Sequence, residues 1–314
     1  METINILDVT VIEPRLKHPT IFNNFDLLSD NECFIIHNDH DPKPLYYQLI
    51  AERGNTFTWE YLENGPEQWK VKIGKSGNTT EETIGETVAK DYRKAQVFKK
   101  FGIDFCCGGK KTLTEVCNTK GIDAQVVKQE LAAAEKSNNT AENFGEWDTD
   151  FLVEYIINIH HKYVKENTPF LLELSKKVGS VHGASHPETL DVAIAFARVA
   201  EDLSLHMVKE ENILFPYIKE LIHGEKNGSG LPPTGFGGVK NPIQIMEMEH
   251  EQAGEDFEII RKLTNNYTLP EGACASYTIL YKKLEEFEND LHRHVHLENN
   301  ILFPKALQLE NGLK

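Results

Sequence analysis

A chain of 314 residues is long enough for two or three domains, each with a core of its own. Its net charge of −16, from 49 acidic against 33 basic side chains, argues against nucleic-acid or anionic-membrane partners, which demand clustered positive charge. No apolar run is long enough to span a bilayer, and METINILDVTVIEPRLKHP has neither the basic start nor the apolar stretch of a signal peptide, so the expected location is cytoplasmic.

Residues 1–75 read as a small two-layer α/β domain. INILDVTVI and CFIIHN are β-rich, HPTIFNNFDLL and PLYYQLIAER carry helical spacing, and TFTWEYL and WKVKIG flank the turn ENGPEQ as a hairpin. GKSGNTT then serves as a linker. Within this domain His37, Asp39, His40 and Asp41 crowd together. A metal or small-molecule loop would use them, but a strand ending in an Asp- and Pro-rich turn explains them more simply.

Residues 79–135 read as a small all-α domain. Thr and acidic residues open TTEETIGETVAKDYRKAQVFKKF, Thr112 and Glu115 form a capping box, and Asp123 caps AQVVKQELAAAEK. Between the first two helices stands FGIDFCCGGKKTL, with Cys106 and Cys107 adjacent. Lys110, Lys111 and the helix start that follows should favour thiolate, which suits redox or iron transfer. The other cysteines, Cys33, Cys117 and Cys274, do not complete a disulfide framework or a CxxC zinc site. Cys33 and Cys274 read as small buried residues among apolar neighbours.

After the polar stretch KSNNTAENFGEWD, residues 149–310 are helical, with one Gly- and Pro-rich break at HGEKNGSGLPPTGFGGVKNP. Two phrases in this region nearly repeat, HMVKEENILFP at 206–216 and HVHLENNILFP at 294–304. Each sets a histidine one helical turn before a glutamate: His206 before Glu210, His294 before Glu298. Both pairs fall on apolar stripes, Phe196–Val199–Leu203 in one helix and Leu284–Phe287–Leu291 in the other. A third helix puts His250 on the stripe of Ile243, Met246, Phe257 and Ile260. A carboxylate in an apolar seam is costly unless paired or bound to metal. Either His160 or His161 extends a stripe of the first helix, and periodicity leaves both open. His292 and His296 should face away from the site. Four imidazoles and two carboxylates, without thiolate, suit iron or manganese in a four-helix bundle.

On DFCCGGKKTL, HMVKEENILFP, MEMEHEQAGE and HVHLENNILFP, the chain resembles the iron–sulfur cluster repair di-iron proteins over about residues 79–308. That family has a short cysteine-pair helical domain before a hemerythrin-like four-helix bundle. The resemblance implies two iron ions held by His160, His206, Glu210, His250, His294 and Glu298, with both glutamates bridging, and Cys106 and Cys107 as the functional thiols. It implies repair of clusters damaged by oxidative or nitrosative stress, with damaged iron–sulfur proteins or a cluster scaffold as partners and nitric oxide or dioxygen as small ligand. A nitric oxide reductase and an oxygen or nitric oxide sensor are the alternatives on the same ligands. A homodimer is compatible with the resemblance. Residues 1–75 are an addition to the two-domain form, similar to a small sulfur-carrier-like domain, and no role is carried over to them.

Overall fold

The computed structural model describes residues 5–29, 32–54, 56–75, 81–136 and 142–314, so most of the first linker and residues 137–141 of the second lie outside the described residues. The chain divides into two compact units, Met1–Glu81 and Glu82–Lys314.

The first unit alternates β1 (Asn5–Asp8), α1 (Pro14–Asp26), β2 (Cys33–Asn38), α2 (Lys43–Arg53), β3 (Phe57–Asn64) and β4 (Trp69–Lys75). The sheet order is β1-β2-β4-β3, with β1 parallel to β2 and the other pairs antiparallel. Alternation in CFIIHN buries Phe34 and Ile36 against Ile21, Phe22 and Phe25 of α1 and Leu45 and Leu49 of α2. The Asp-rich turn acts locally: Asp41 Oδ1 accepts from Lys43 N at 3.0 Å and from Tyr61 Oη at 2.7 Å. Cys33 is only half-buried, because it lies on the face of β2 opposite Phe34.

The second unit is helical. Its first part contains α3 (Ile84–Lys90), α4 (Lys94–Lys100), α5 (Leu113–Lys120) and α6 (Ala124–Glu135). Reciprocal capping boxes open α3 at Thr83 with Glu86 and α5 at Thr112 with Glu115. The single first helix expected from the sequence is broken at Asp91, whose backbone is extended and whose carboxylate binds Arg93. The bundle follows as α7 (Thr149–Tyr155) running into α8 (Lys162–His182), α9 (Glu188–Lys209) into α10 (Phe215–Asn227), α11 (Lys240–Leu263), and α12 (Ala275–Leu297) into α13 (Phe303–Gly312). Phe98, Ile103, Phe105 and Val116 of the first part share one core with Phe196, Phe257, Phe287 and Leu291 of the bundle. Cys274 is exposed, not buried: it precedes α12, with Sγ 3.1 Å from His182 Nε2.

Candidate metal centre

Each repeated phrase changes helical winding at its glutamate. The α-helix ends at Lys209 and at Leu297, and Glu210–Leu214 and Glu298–Leu302 wind as π turns. Each is closed by a bond reaching back five residues, Phe215 N–H to Glu210 O and Phe303 N–H to Glu298 O. The shared proline explains the change: Pro216 and Pro304 have no N–H, and their rings crowd the carbonyl four residues back, so the preceding turn widens. A third π turn, Ile156–His161, joins α7 to α8.

These turns aim their side chains at one buried place. Glu210 Oε2 lies 3.3 Å from His161 Nε2 and 3.2 Å from His206 Nε2. On the opposite side Glu298 Oε2 lies 3.1 Å from His250 Nε2, and its Oε1 lies 3.1 Å from His294 Nε2. Two four-residue sets result: His161, Glu210, His294 and Glu298; and His206, Glu210, His250 and Glu298. Both glutamates belong to both sets, and both are 0% exposed. Among the described residues all four of their carboxylate oxygens lack a hydrogen-bond partner, as do His161 Nε2 and His294 Nε2. The contacts are close but not aligned as hydrogen bonds. Buried carboxylates are not left so unless something else satisfies them, and lone pairs converging from imidazole and carboxylate suit a pair of cations.

The imidazoles are held from behind. His161 Nδ1 donates to Glu211 Oε1 (2.7 Å), His206 Nδ1 to Glu249 Oε2 (2.9 Å), and His250 Nδ1 to Asn299 Oδ1 (2.8 Å). Each bond fills Nδ1 and leaves Nε2 as the ring nitrogen facing the centre, where His206 Nε2 and His250 Nε2 lie 2.9 Å apart. Lys165 neutralises Glu211 and Lys209 neutralises Glu249. Glu211 and Asn299 occupy equivalent places, one residue after the glutamate of each phrase, and each steadies an imidazole from another helix. Burial opposes a charge on His206, yet Glu210, Glu249 and Glu298 push its pKa up to about 10. Burial likewise opposes the charge on Glu298, while His294 and His250 hold its carboxyl well below the usual carboxylate range. The pull these carboxylates exert on a proton is the pull they would exert on a metal ion. Apolar walls keep water out: Phe215 stacks on His161 at 5.6 Å and Phe303 on His250 at 6.0 Å.

Of the six expected ligands, the structure brings together His206, Glu210, His250, His294 and Glu298. The remaining place is taken by His161, which corrects the expectation of His160. The π turn Ile156–His161 adds a residue to the helix and rotates the second histidine inward. His160 turns to Asp290, its Nδ1 2.9 Å from Oδ1. His292 and His296 do face away from the centre, but into protein: Phe105 lies 6.1 Å from His292 and 5.9 Å from His296, centroid to centroid.

The cysteine pair sits on that far side. Asp104 gathers its turn, Oδ1 accepting from Cys106 N (2.9 Å), Cys107 N (3.1 Å) and Cys106 Sγ (3.1 Å), and Oδ2 from Gly108 N (2.8 Å). Asn300 ties the turn to the bundle through Nδ2, which donates to Phe105 O (3.2 Å) and Cys106 O (3.0 Å). Gly85 and Gly109 make room for it, since a Cβ on either would fall within 2.4 Å or less of Asn300 Oδ1. The thiolate expected at Cys106 is not favoured. Its bond with Cys107, its burial and the Asp104 carboxylate push the thiol pKa well up, and Lys110 is engaged by Glu247 at 2.5 Å.

Three family models match the chain: "Uncharacterized conserved protein (DUF2249)" over residues 6–75, "Domain of Unknown function (DUF542)" over 80–135, and "Hemerythrin HHE cation binding domain" over 153–306. Among curated proteins it is similar to the iron-sulfur cluster repair protein YtfE of Yersinia pestis (strain Pestoides F), 36% identical over 218 residues, which is 69% of this chain and 93% of the relative. The YtfE protein of Yersinia pseudotuberculosis serotype O:1b (strain IP 31758) matches to the same extent, 36% over 218 residues. With a hemerythrin-type cation-binding bundle, the cysteine-pair segment before it and relatives matched over nearly their whole length, the chain belongs to the YtfE family of iron–sulfur cluster repair proteins.

Proposed function

We propose that this protein is a non-haem di-iron protein that repairs iron–sulfur clusters damaged by oxidative or nitrosative stress, acting in the cytoplasm. One observation carries the reading: two fully buried glutamates are shared between two pairs of imidazoles, with their oxygens unpartnered. His161 and His294 would hold one ion, His206 and His250 the other, and Glu210 and Glu298 would bridge them. Bound there, two iron ions supply one-electron chemistry and open positions for a small ligand such as nitric oxide or dioxygen. The protein's part is to keep Nε2 of His161, His206 and His250 aimed at the centre, through Glu211, Glu249 and Asn299, and to exclude water with Phe215 and Phe303. Cys106 and Cys107, tethered by Asn300 beside the Glu298 turn, would exchange iron or electrons with a damaged iron–sulfur protein or cluster scaffold.

Metal analysis of the purified protein should give about two iron per chain, the number that six ligands with shared carboxylates serve. Glu210→Ala should lose most of it while keeping its helical circular dichroism. The iron-loaded protein should restore activity to an iron–sulfur enzyme damaged by nitric oxide, and Cys106→Ala with Cys107→Ala should impair that recovery without changing iron content. One zinc and no iron would refute the centre. Full recovery with the double cysteine variant would remove the thiols from the mechanism.

A further inference from the structure

The centre leaves one imidazole over. His160 is 1% exposed and stands outside both ligand sets, yet it is prepared as their members are. Its Nδ1 donates to a carboxylate, Asp290 Oδ1 at 2.9 Å, and its Nε2 is buried without a hydrogen-bond partner among the described residues. An imidazole held in that way offers a lone pair, the form that takes a cation.

Its neighbour is the least supported member of the centre. His160 stacks on His294, with ring centroids 5.5 Å apart and planes within 4°. Whereas His161, His206 and His250 each donate Nδ1 to an orienting group, His294 Nδ1 has no partner among the described residues. Losing such a group typically weakens metal binding about 10- to 100-fold. The His161–His294 position should therefore hold its ion less tightly than the His206–His250 position. On the far side of His160, Asp290 Oδ2 is buried and unpartnered too. Asp290 also lines a cavity of about 340 Å³ with Lys99, Phe105, His292 and Arg293, where the cysteine-pair segment meets the bundle.

We propose that His160, its ring oriented by Asp290, is an auxiliary ligand for a divalent first-row metal ion entering or leaving the His161–His294 position. The proposal rests on the two-metal reading of the centre. In the transfer His160 Nε2 takes up a metal–nitrogen bond as His294 gives one up. No electron moves, the ion stays divalent, and the Asp290 carboxylate balances its charge.

The test is release of ferrous iron from the loaded full-length protein to a chromophoric chelator. Release should come in two phases of equal amplitude. His160→Asn, which keeps a donor to Asp290 but removes Nε2, should slow the fast phase about tenfold or more. Asp290→Asn should do the same, and neither should change the slow phase or the total iron. The two substitutions lie on different helices, so a folding defect in one leaves the other informative, with circular dichroism as the check. A single phase in the unsubstituted protein, or an unchanged fast phase in both variants, overturns the proposal and leaves the two-metal centre standing. Loss of an ion from the His160→Asn protein would make His160 a permanent ligand and overturns it as well. Iron far below about two per chain in the unsubstituted protein removes the premise itself.

Discussion

At the scale of single residues, the centre depends on groups that never touch its middle. Asn299 accepts from His250 Nδ1 at 2.8 Å and is 4% exposed, so its amide fixes a ring and not a surface contact. Asn299→Ala should weaken iron binding about 10- to 100-fold in competition with a chelator, at unchanged helical content. An unchanged affinity would show that packing against Phe303 suffices to aim His250. Most cluster residues were legible in the sequence because a histidine or glutamate on an apolar stripe contradicts its neighbours. The supporting residues were less so. Glu211, Glu249 and Asn299 look like ordinary polar positions, and only the repeat, with Glu211 and Asn299 each one place after a glutamate, set them apart. His161 escaped for a different reason. Periodicity leaves His160 and His161 both open and the resemblance puts the ligand on His160; the π turn Ile156–His161, which brings His161 to the centre, leaves no mark on a 3.6-residue count.

Elements show the same division. Capping boxes at Thr83 and Thr112 and the alternation of CFIIHN were readable because they depend on near neighbours. What a helix end meets at long range was not. Glu310, on α13, accepts from Val239 N–H at 2.7 Å just before α11 and from Tyr217 Oη at 3.1 Å, closing the bundle end at the Gly-rich break. Burial works against its charge, but Val239, Lys314 and Tyr217 hold its carboxyl below the usual range. A carboxylate depressed in the folded state stabilises above its unfolded pKa of about 4.3, and that contribution is lost as pH falls through the folded value. Glu310→Gln should thus cost about 1–3 kcal/mol near neutral pH, read from urea unfolding, because charged acceptors make the stronger bonds. The gap between the two proteins should narrow as pH drops below about 4. A gap that does not change with pH would mean that shape alone, and not charge, supports this end.

For the whole molecule, the cores decide what unfolds together. Val9 to Ile73 make one core within Met1–Glu81, while the cores from Ile84 onward draw only on Glu82–Lys314. All of the cluster residues lie in the second unit. A ligand that binds only the folded state stabilises it by about 4 kcal/mol at a thousandfold excess over its dissociation constant. Iron should therefore raise one calorimetric transition and leave the other in place. The cysteine-pair segment belongs with the metal-dependent transition, because Phe98, Phe105 and Val116 are packed into the bundle's core and Asn300 binds the Cys106 carbonyl. Hydrogen exchange can locate the effect: on iron loading, amides in 84–135 should gain protection along with those of α9 and α12, while amides of β2 and β4 should not. Protection gained equally in β2 and β4 would mean the first unit is energetically joined to the centre. Protection confined to the bundle helices would mean the cysteine pair is carried beside the centre without being coupled to it.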